Sequence, residues 1–159
     1  DGTIDSAFGN AGVLLIDTDY GHAGLTGVAL QNDGKIVVVG HGGSPNYATF
    51  FIARINSDGT LDNTFAGGTG QFEHTVVGGE GWAIDVAIMD DGRIVSVGGA
   101  QIPDQFFPIR GGVVIRYLSD GTLDPTFGNS GIVLLDTGYG SGCGGLLRRE
   151  NIGNGLLLL

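Results

Sequence analysis

The chain has 159 residues, a net charge of −10, 42% hydrophobic residues and 32 glycines. That supplies apolar material for a core but too much backbone freedom for a helical protein. Such acidity opposes nucleic acid and anionic membrane surfaces, which require a basic face. No apolar run approaches the roughly twenty residues of a membrane span, and a single cysteine, Cys143, excludes an intrachain disulfide.

Taken in order, the chain first shows Gly12-Val13-Leu14-Leu15-Ile16-Asp17, a short apolar run after a Gly-containing turn, which predicts a strand. A polar loop to Gly24 follows, then a strand over 25–31. Asn32-Asp33-Gly34-Lys35 predicts a hairpin turn with Gly34 at positive φ. The return strand, 35–40, carries four consecutive β-branched residues and reads as buried on both faces. His41 to Ala48 reads as a loop. Thr49 to Asn56 reads as a strand with Arg54 directed to solvent or to a partner carboxylate, and a fourth strand falls near 70–77.

This pattern then recurs. Val28-Ala29-Leu30 matches Val86-Ala87-Ile88, and Asp33-Gly34-Lys35 matches Asp91-Gly92-Arg93, both 58 residues on. Phe51-Ile52-Ala53-Arg54-Ile55 matches Val113-Val114-Ile115-Arg116-Tyr117, 62 residues on, so four extra residues enter the second unit in one predicted loop, Gly99 to Gly112. The stretch Ser57-Asp58-Gly59-Thr60-Leu61-Asp62-Asn63-Thr64-Phe65 has counterparts at 1–8 and 120–127. From 127 to 140 the chain tracks 8–21. Beyond Gly140 the match collapses, and a degenerate unit and a shifted reading frame remain alternatives for 141–159.

A fixed period near sixty residues signals a repeat architecture. Four short antiparallel strands per period, joined by hairpins, predict an all-β protein of β-propeller blades. The expected organisation is one partial propeller domain over 1–159: an outer strand in 1–24, a blade over 25–81, a blade over 82–140 and the degenerate unit after it. Propellers close four to eight blades into a ring. The chain, which opens at Asp1 inside a repeat, therefore reads as a window on a longer protein. Its expected partners are further blades of that protein or a second copy.

Residues 28–40, 51–65 and the Phe-Gly-Asn-x-Gly steps at 8–12 and 127–131 resemble the delta-60 repeats, bacterial propeller-like repeats of large secreted or surface proteins. The resemblance covers 1–140. It implies an extracellular or cell-surface repeat module and supplies no catalytic residues.

The Asp-Gly turns carry carboxylates, but none has calcium-loop spacing, and turn formation accounts for them. In a propeller, the loops after the second and fourth strands gather on one face. Here that face would carry the candidate ligand-binding residues Asp17, Asp19, Tyr20, His22, His41, Tyr47, Glu80, Trp82, Asp104, Asp136 and Tyr139, with Asn46, Gln101 and Cys143 beside them. No metal-ligand spacing appears among them, and no cofactor signature. Ser141-Gly142-Cys143-Gly144-Gly145 lacks the glycine two before the nucleophile that an elbow requires. His74 reads as a surface residue, and Trp82 as a packing residue. The leading reading is a non-catalytic module for binding, adhesion or display, with a protein or carbohydrate ligand. The alternative is a hydrolase at the channel mouth, with or without a metal.

Overall fold

The computed structural model describes residues 2–18, 23–44, 47–76, 80–102 and 109–135. Strands β1 (Gly24–Leu30), β2 (Ile36–Ser44), β3 (Tyr47–Ile55) and β4 (Gln71–His74) form one antiparallel sheet in sequential order. Strands β5 (Glu80–Ile88), β6 (Ile94–Ile102), β7 (Ile109–Tyr117) and β8 (Ile132–Leu135) form a second of the same topology. The one helical element among the described residues is a single 3-10 turn, Ala66–Gly68. The all-β expectation holds.

The Asp-Gly hairpins are three-residue loops. Gln31 N–H donates to the Lys35 carbonyl at 2.8 Å and Gly34 N–H donates to the Gln31 carbonyl at 2.9 Å, with Gly34 at φ +84°. This is a tight turn followed by a left-handed residue, the commonest three-residue hairpin. Asp33 Oδ1 accepts from Lys35 N–H at 3.1 Å. The same bonds recur at Asp58, Asp91 and Asp120. Their carboxylates are therefore engaged in forming turns.

Alternation along β2 and β3 sends two sets of side chains to opposite faces. Val37, Val39, Phe50 and Ile52 face the second sheet and share its core with Ala83, Ile94, Val113, Ile115 and Tyr117. Val38, Phe51, Ala53 and Ile55 face the other way and are covered by Phe8, Leu14 and Ile16. The inner strands meet closely. Thr26 Oγ1 donates to the Ala83 carbonyl at 2.9 Å, and a methyl on Gly27 would lie 2.9 Å from Asp85 Cα. Further out, the Phe50 ring lies against Gly81 and Gly98, where a methyl would approach it to 2.8 and 2.9 Å.

Three expectations are corrected. First, 41–48 and 99–112 are not loops throughout: the ladders continue through His41↔Phe50, Gly42↔Thr49, Gly43↔Ala48 and Ser44↔Tyr47, and through Gln101↔Arg110 and Ile102↔Ile109. Glycine lowers strand propensity, but here it permits close approach. A methyl on Gly42 would meet the Glu73 carboxylate at 2.6 Å. Second, Val13–Ile16 belongs to neither sheet, because no third strand lies beside it among the described residues. Its counterpart Ile132–Leu135 has β7 to pair with and is a strand. Third, His74 is not a surface residue. It lies between the sheets, stacked on Phe72 at 5.1 Å and edge-on to Tyr117 at 5.9 Å.

Candidate functional site

Strand direction divides each sheet into two ends. The β1–β2 turn and the long β3–β4 connection lie at one end, and the β2–β3 and β4–β5 connections lie at the other. The repeated signature occupies the first end, and four of the candidate ligand-binding residues, His41, Tyr47, Glu80 and Trp82, stand on strands near the second.

At the signature end the chain builds a clasp, twice. Arg54, near the end of β3, donates from Nε to Asp62 Oδ2 at 2.7 Å and from Nη2 to Thr64 Oγ1 at 3.3 Å. Its guanidinium lies 4.5 Å above the Phe65 ring. Lys35 Nζ reaches the same Asp62 oxygen at 3.0 Å. The second oxygen, Oδ1, accepts from Thr64 N–H and Oγ1 at 3.0 and 2.7 Å. Burial works to raise the Asp62 pKa, but these donors outweigh it and hold the carboxyl well below its ordinary range. In the next unit Arg116 repeats the arrangement: Nε to Asp124 Oδ2 at 2.8 Å, Nη2 to Thr126 Oγ1 at 3.3 Å, and 4.4 Å above Phe127. The hydroxyl and amide of Thr126, assisted by Arg116, hold Asp124 down to about 2.

The clasps also join units. Arg54 Nη1 donates to the Ser119 carbonyl at 2.6 Å and Ala66 N–H to the Asp120 carbonyl at 2.8 Å. Likewise Gly9 N–H donates to the Asp58 carbonyl at 2.8 Å. The Phe8-Gly9 and Phe65-Ala66 steps thus each rest on the Asp-Gly turn of the following unit. The sequence leaves Arg54 directed either to solvent or to a partner carboxylate; the structure selects the carboxylate and identifies it as Asp62. The signal was the constant spacing of eight between Arg54 and Asp62 and between Arg116 and Asp124.

At the opposite end, backbone pairing places His41 beside Gly24, Tyr47 beside Ser44, Glu80 beside Gln101 and Trp82 beside Gly99. Gly24/His41 and Trp82/Gly99 are equivalent pairs with the ring exchanged between strands. A methyl on Gly24 would lie 2.5 Å from His41 Cε1, and one on Gly99 would lie 2.6 Å from Trp82 Cζ2. Each sheet therefore carries a flat ring at the same place, an imidazole in the first and an indole in the second. Asp17 is exposed, and its carbonyl accepts from Nε2 of Gln71, the first residue of β4, at 2.9 Å, so the structure does not bring it to His41 or Trp82. Asp19, Tyr20, His22, Asp104, Asp136 and Tyr139 lie outside the described residues, as does Cys143.

Two four-stranded antiparallel sheets, packed face to face with inner strands adjacent and joined by repeated turns, define part of a β-propeller. Residues 31–65 and 90–127 match the model of a family described as a β-propeller domain of unknown function, DUF5122. The matched segments run from the β1–β2 hairpin and from the β5–β6 hairpin, each through its clasp, which is the part of each unit that recurs most closely. No curated protein and no solved structure matches the chain.

Proposed function

We propose that this propeller is a non-catalytic module of a secreted or cell-surface protein, and that it displays the β2–β3 end of its blades to a protein or carbohydrate ligand. One observation carries this reading: the two ends of the blades differ in what repeats. The recurring Asp, Gly, Thr, Arg and Phe residues are consumed in turns and clasps at one end. Differences between units concentrate at the other, where the ring exchange occurs and four extra residues enter the second unit. A frame held at one end and varied at the other suits recognition, since binding residues are best carried on loops set by a rigid scaffold.

The test is a glycan and protein array probed with the purified chain and with a variant whose 103–108 segment is replaced by Gly/Ser. Binding that this replacement abolishes, with the melting temperature unchanged, supports display. Turnover in an ester and phosphodiester screen with added divalent metals would favour the hydrolase alternative instead. Export is tested separately, by fractionating cells that produce the full-length gene product.

A further inference from the structure

The clasp has a third copy, and it is half built. Asp5 Oδ1 accepts from Ala7 N–H at 2.9 Å, as Asp62 and Asp124 Oδ1 accept from Thr64 and Thr126 N–H. Phe8 N–H donates to the Asp5 carbonyl at 3.1 Å, matching Phe65 to Asp62 and Phe127 to Asp124. Phe8 rests on the Asp58-Gly59 turn just as Phe65 rests on Asp120-Gly121. Among the described residues, however, no arginine reaches Asp5 Oδ2 or covers the Phe8 ring.

In the complete copies, the arginine arrives on a third strand with a fixed set of backbone bonds. Arg54 N–H donates to the Gly70 carbonyl at 2.9 Å and its carbonyl accepts from Asp62 N–H at 2.9 Å. Arg116 makes the same pair with Gly131 and Asp124, at 2.8 and 2.9 Å. The residues before the arginine then pair in order with the outer strand: Ala53↔Gln71, Ile52↔Phe72, Phe51↔Glu73 and Phe50↔His74. In the first copy the corresponding groups are the Gly12 carbonyl, Asp5 N–H and the run Val13 to Ile16. Leu14 and Ile16 face the first blade's core, as His74 faces Tyr117 of the second. Val13 and Leu15 are 50% and 88% exposed on the other side.

We propose that residues 5–16 are a docking site for the arginine-bearing third strand of a further unit of this repeat. That strand pairs antiparallel with Val13–Ile16 and seats its arginine between the Asp5 carboxylate and the Phe8 ring. Two occupied copies in the same molecule specify the occupant. Both third strands of this chain already pair with their own outer strands, so the occupant comes from an additional unit. Strand addition supplies affinity through main-chain bonds and specificity through alternate side chains; here the charge-assisted Arg–Asp pair and the cation–π contact fix the register. The inference depends on the clasp alone and stands apart from the display reading.

The probe is a labelled synthetic peptide with the sequence of residues 111–120, Gly-Gly-Val-Val-Ile-Arg-Tyr-Leu-Ser-Asp, titrated onto the 159-residue chain. Saturable binding is expected, with new amide-exchange protection at Val13–Ile16. Replacing the peptide arginine by methionine should weaken it about tenfold or more. Asp5→Asn should weaken it comparably, because it removes the charge while keeping an acceptor for Ala7. No saturable binding, equal affinity of the arginine and methionine peptides, or protection located elsewhere would overturn the proposal. The peptide substitution leaves the protein untouched, so the result does not depend on a variant folding.

Discussion

Arg54 Nη1 donates to the Ser119 carbonyl at 2.6 Å, and this bond crosses from one blade to the next. The same side chain closes its own blade through Asp62 at 2.7 Å. One buried guanidinium, 7% exposed, therefore serves both levels of the fold.

Replacing Arg54 by alanine leaves the Asp62 carboxylate with Lys35 as its remaining basic partner and breaks the bond between blades. A loss of ~3–5 kcal/mol is expected, because the partner charge stays buried. Arg116→Ala should cost less, about 2–3 kcal/mol: Asp124 is buried as Asp62 is, but no bond to a following unit is lost among the described residues. Urea unfolding of the two variants side by side checks the ranking; equal losses would contradict it. Arg54→Lys should not restore stability, because a single ammonium cannot serve Asp62, Thr64 and Ser119 together.

Glycine is required at two turns for different reasons. Gly34, at φ +84°, has its nearest non-neighbouring atom 3.7 Å from where a methyl would sit. Gly34→Ala should cost only the left-handed strain, about 1 kcal/mol. Gly121, at φ +85°, has the Phe65 ring 2.6 Å from that position. Gly121→Ala must displace the ring as well, so ~3 kcal/mol is expected. Thermal melting of both variants measures the difference.

His74 links pH to the contact between blades. Burial among Phe50, Phe72 and Tyr117 lowers its pKa from 6.5 to about 4. Neither ring nitrogen has a hydrogen-bond partner among the described residues. Tyr117 is the titratable group facing it from β7, itself shifted upward by burial. Glu73, its neighbour on β4, is bound to Thr49 at 2.9 Å. The unfolded chain binds the His74 proton more readily, so stability falls as pH drops from 6.5 to about 4 and this contribution levels off below that. The loss amounts to roughly 3 kcal/mol at most. Asp62 and Asp124, depressed by their clasps, release a further loss below the ordinary carboxylate range. His74→Phe should flatten the curve between pH 4 and 6.5 and leave the lower limb intact. An unchanged curve would exclude His74 as its source.

Apolar side chains remain open on both outer faces. Val28 and Leu30 are 66% and 71% exposed on the first blade, and Ile84 and Val97 are 54% and 41% exposed on the second. Patches of this kind promote association. Light scattering of the isolated chain should therefore show concentration-dependent oligomers, and a monodisperse 16.3 kDa species would contradict this.

Much of this frame could be read from the residues. Strand positions, Asp-Gly turns and the unit period are local signals, set by β-branched runs and by glycine's access to positive φ. Longer-range facts were harder. Gly42 and Gly43 look like loop residues until the opposing strand, and the Glu73 carboxylate against Gly42, are known. His74 is polar and stands on a short outer strand, so only the neighbouring blade's Tyr117 shows that it is enclosed. Val13–Ile16 has the pattern of a strand but lacks the pairing that makes one. At the ligand end, Gly24/His41 and Trp82/Gly99 exchange a ring between strands, a relationship visible only once the register is fixed.

The central claim is that the repeated signature fastens consecutive blades into one cooperative body. Native-state hydrogen exchange on the chain and on Arg54→Ala tests it most directly. The account predicts that slowly exchanging amides of β1–β3 and β5–β7 share one opening free energy in the parent, and that Arg54→Ala lowers protection in both sheets. Separate opening energies for the two sheets in the parent, or a loss confined to β1–β4 in the variant, would contradict it.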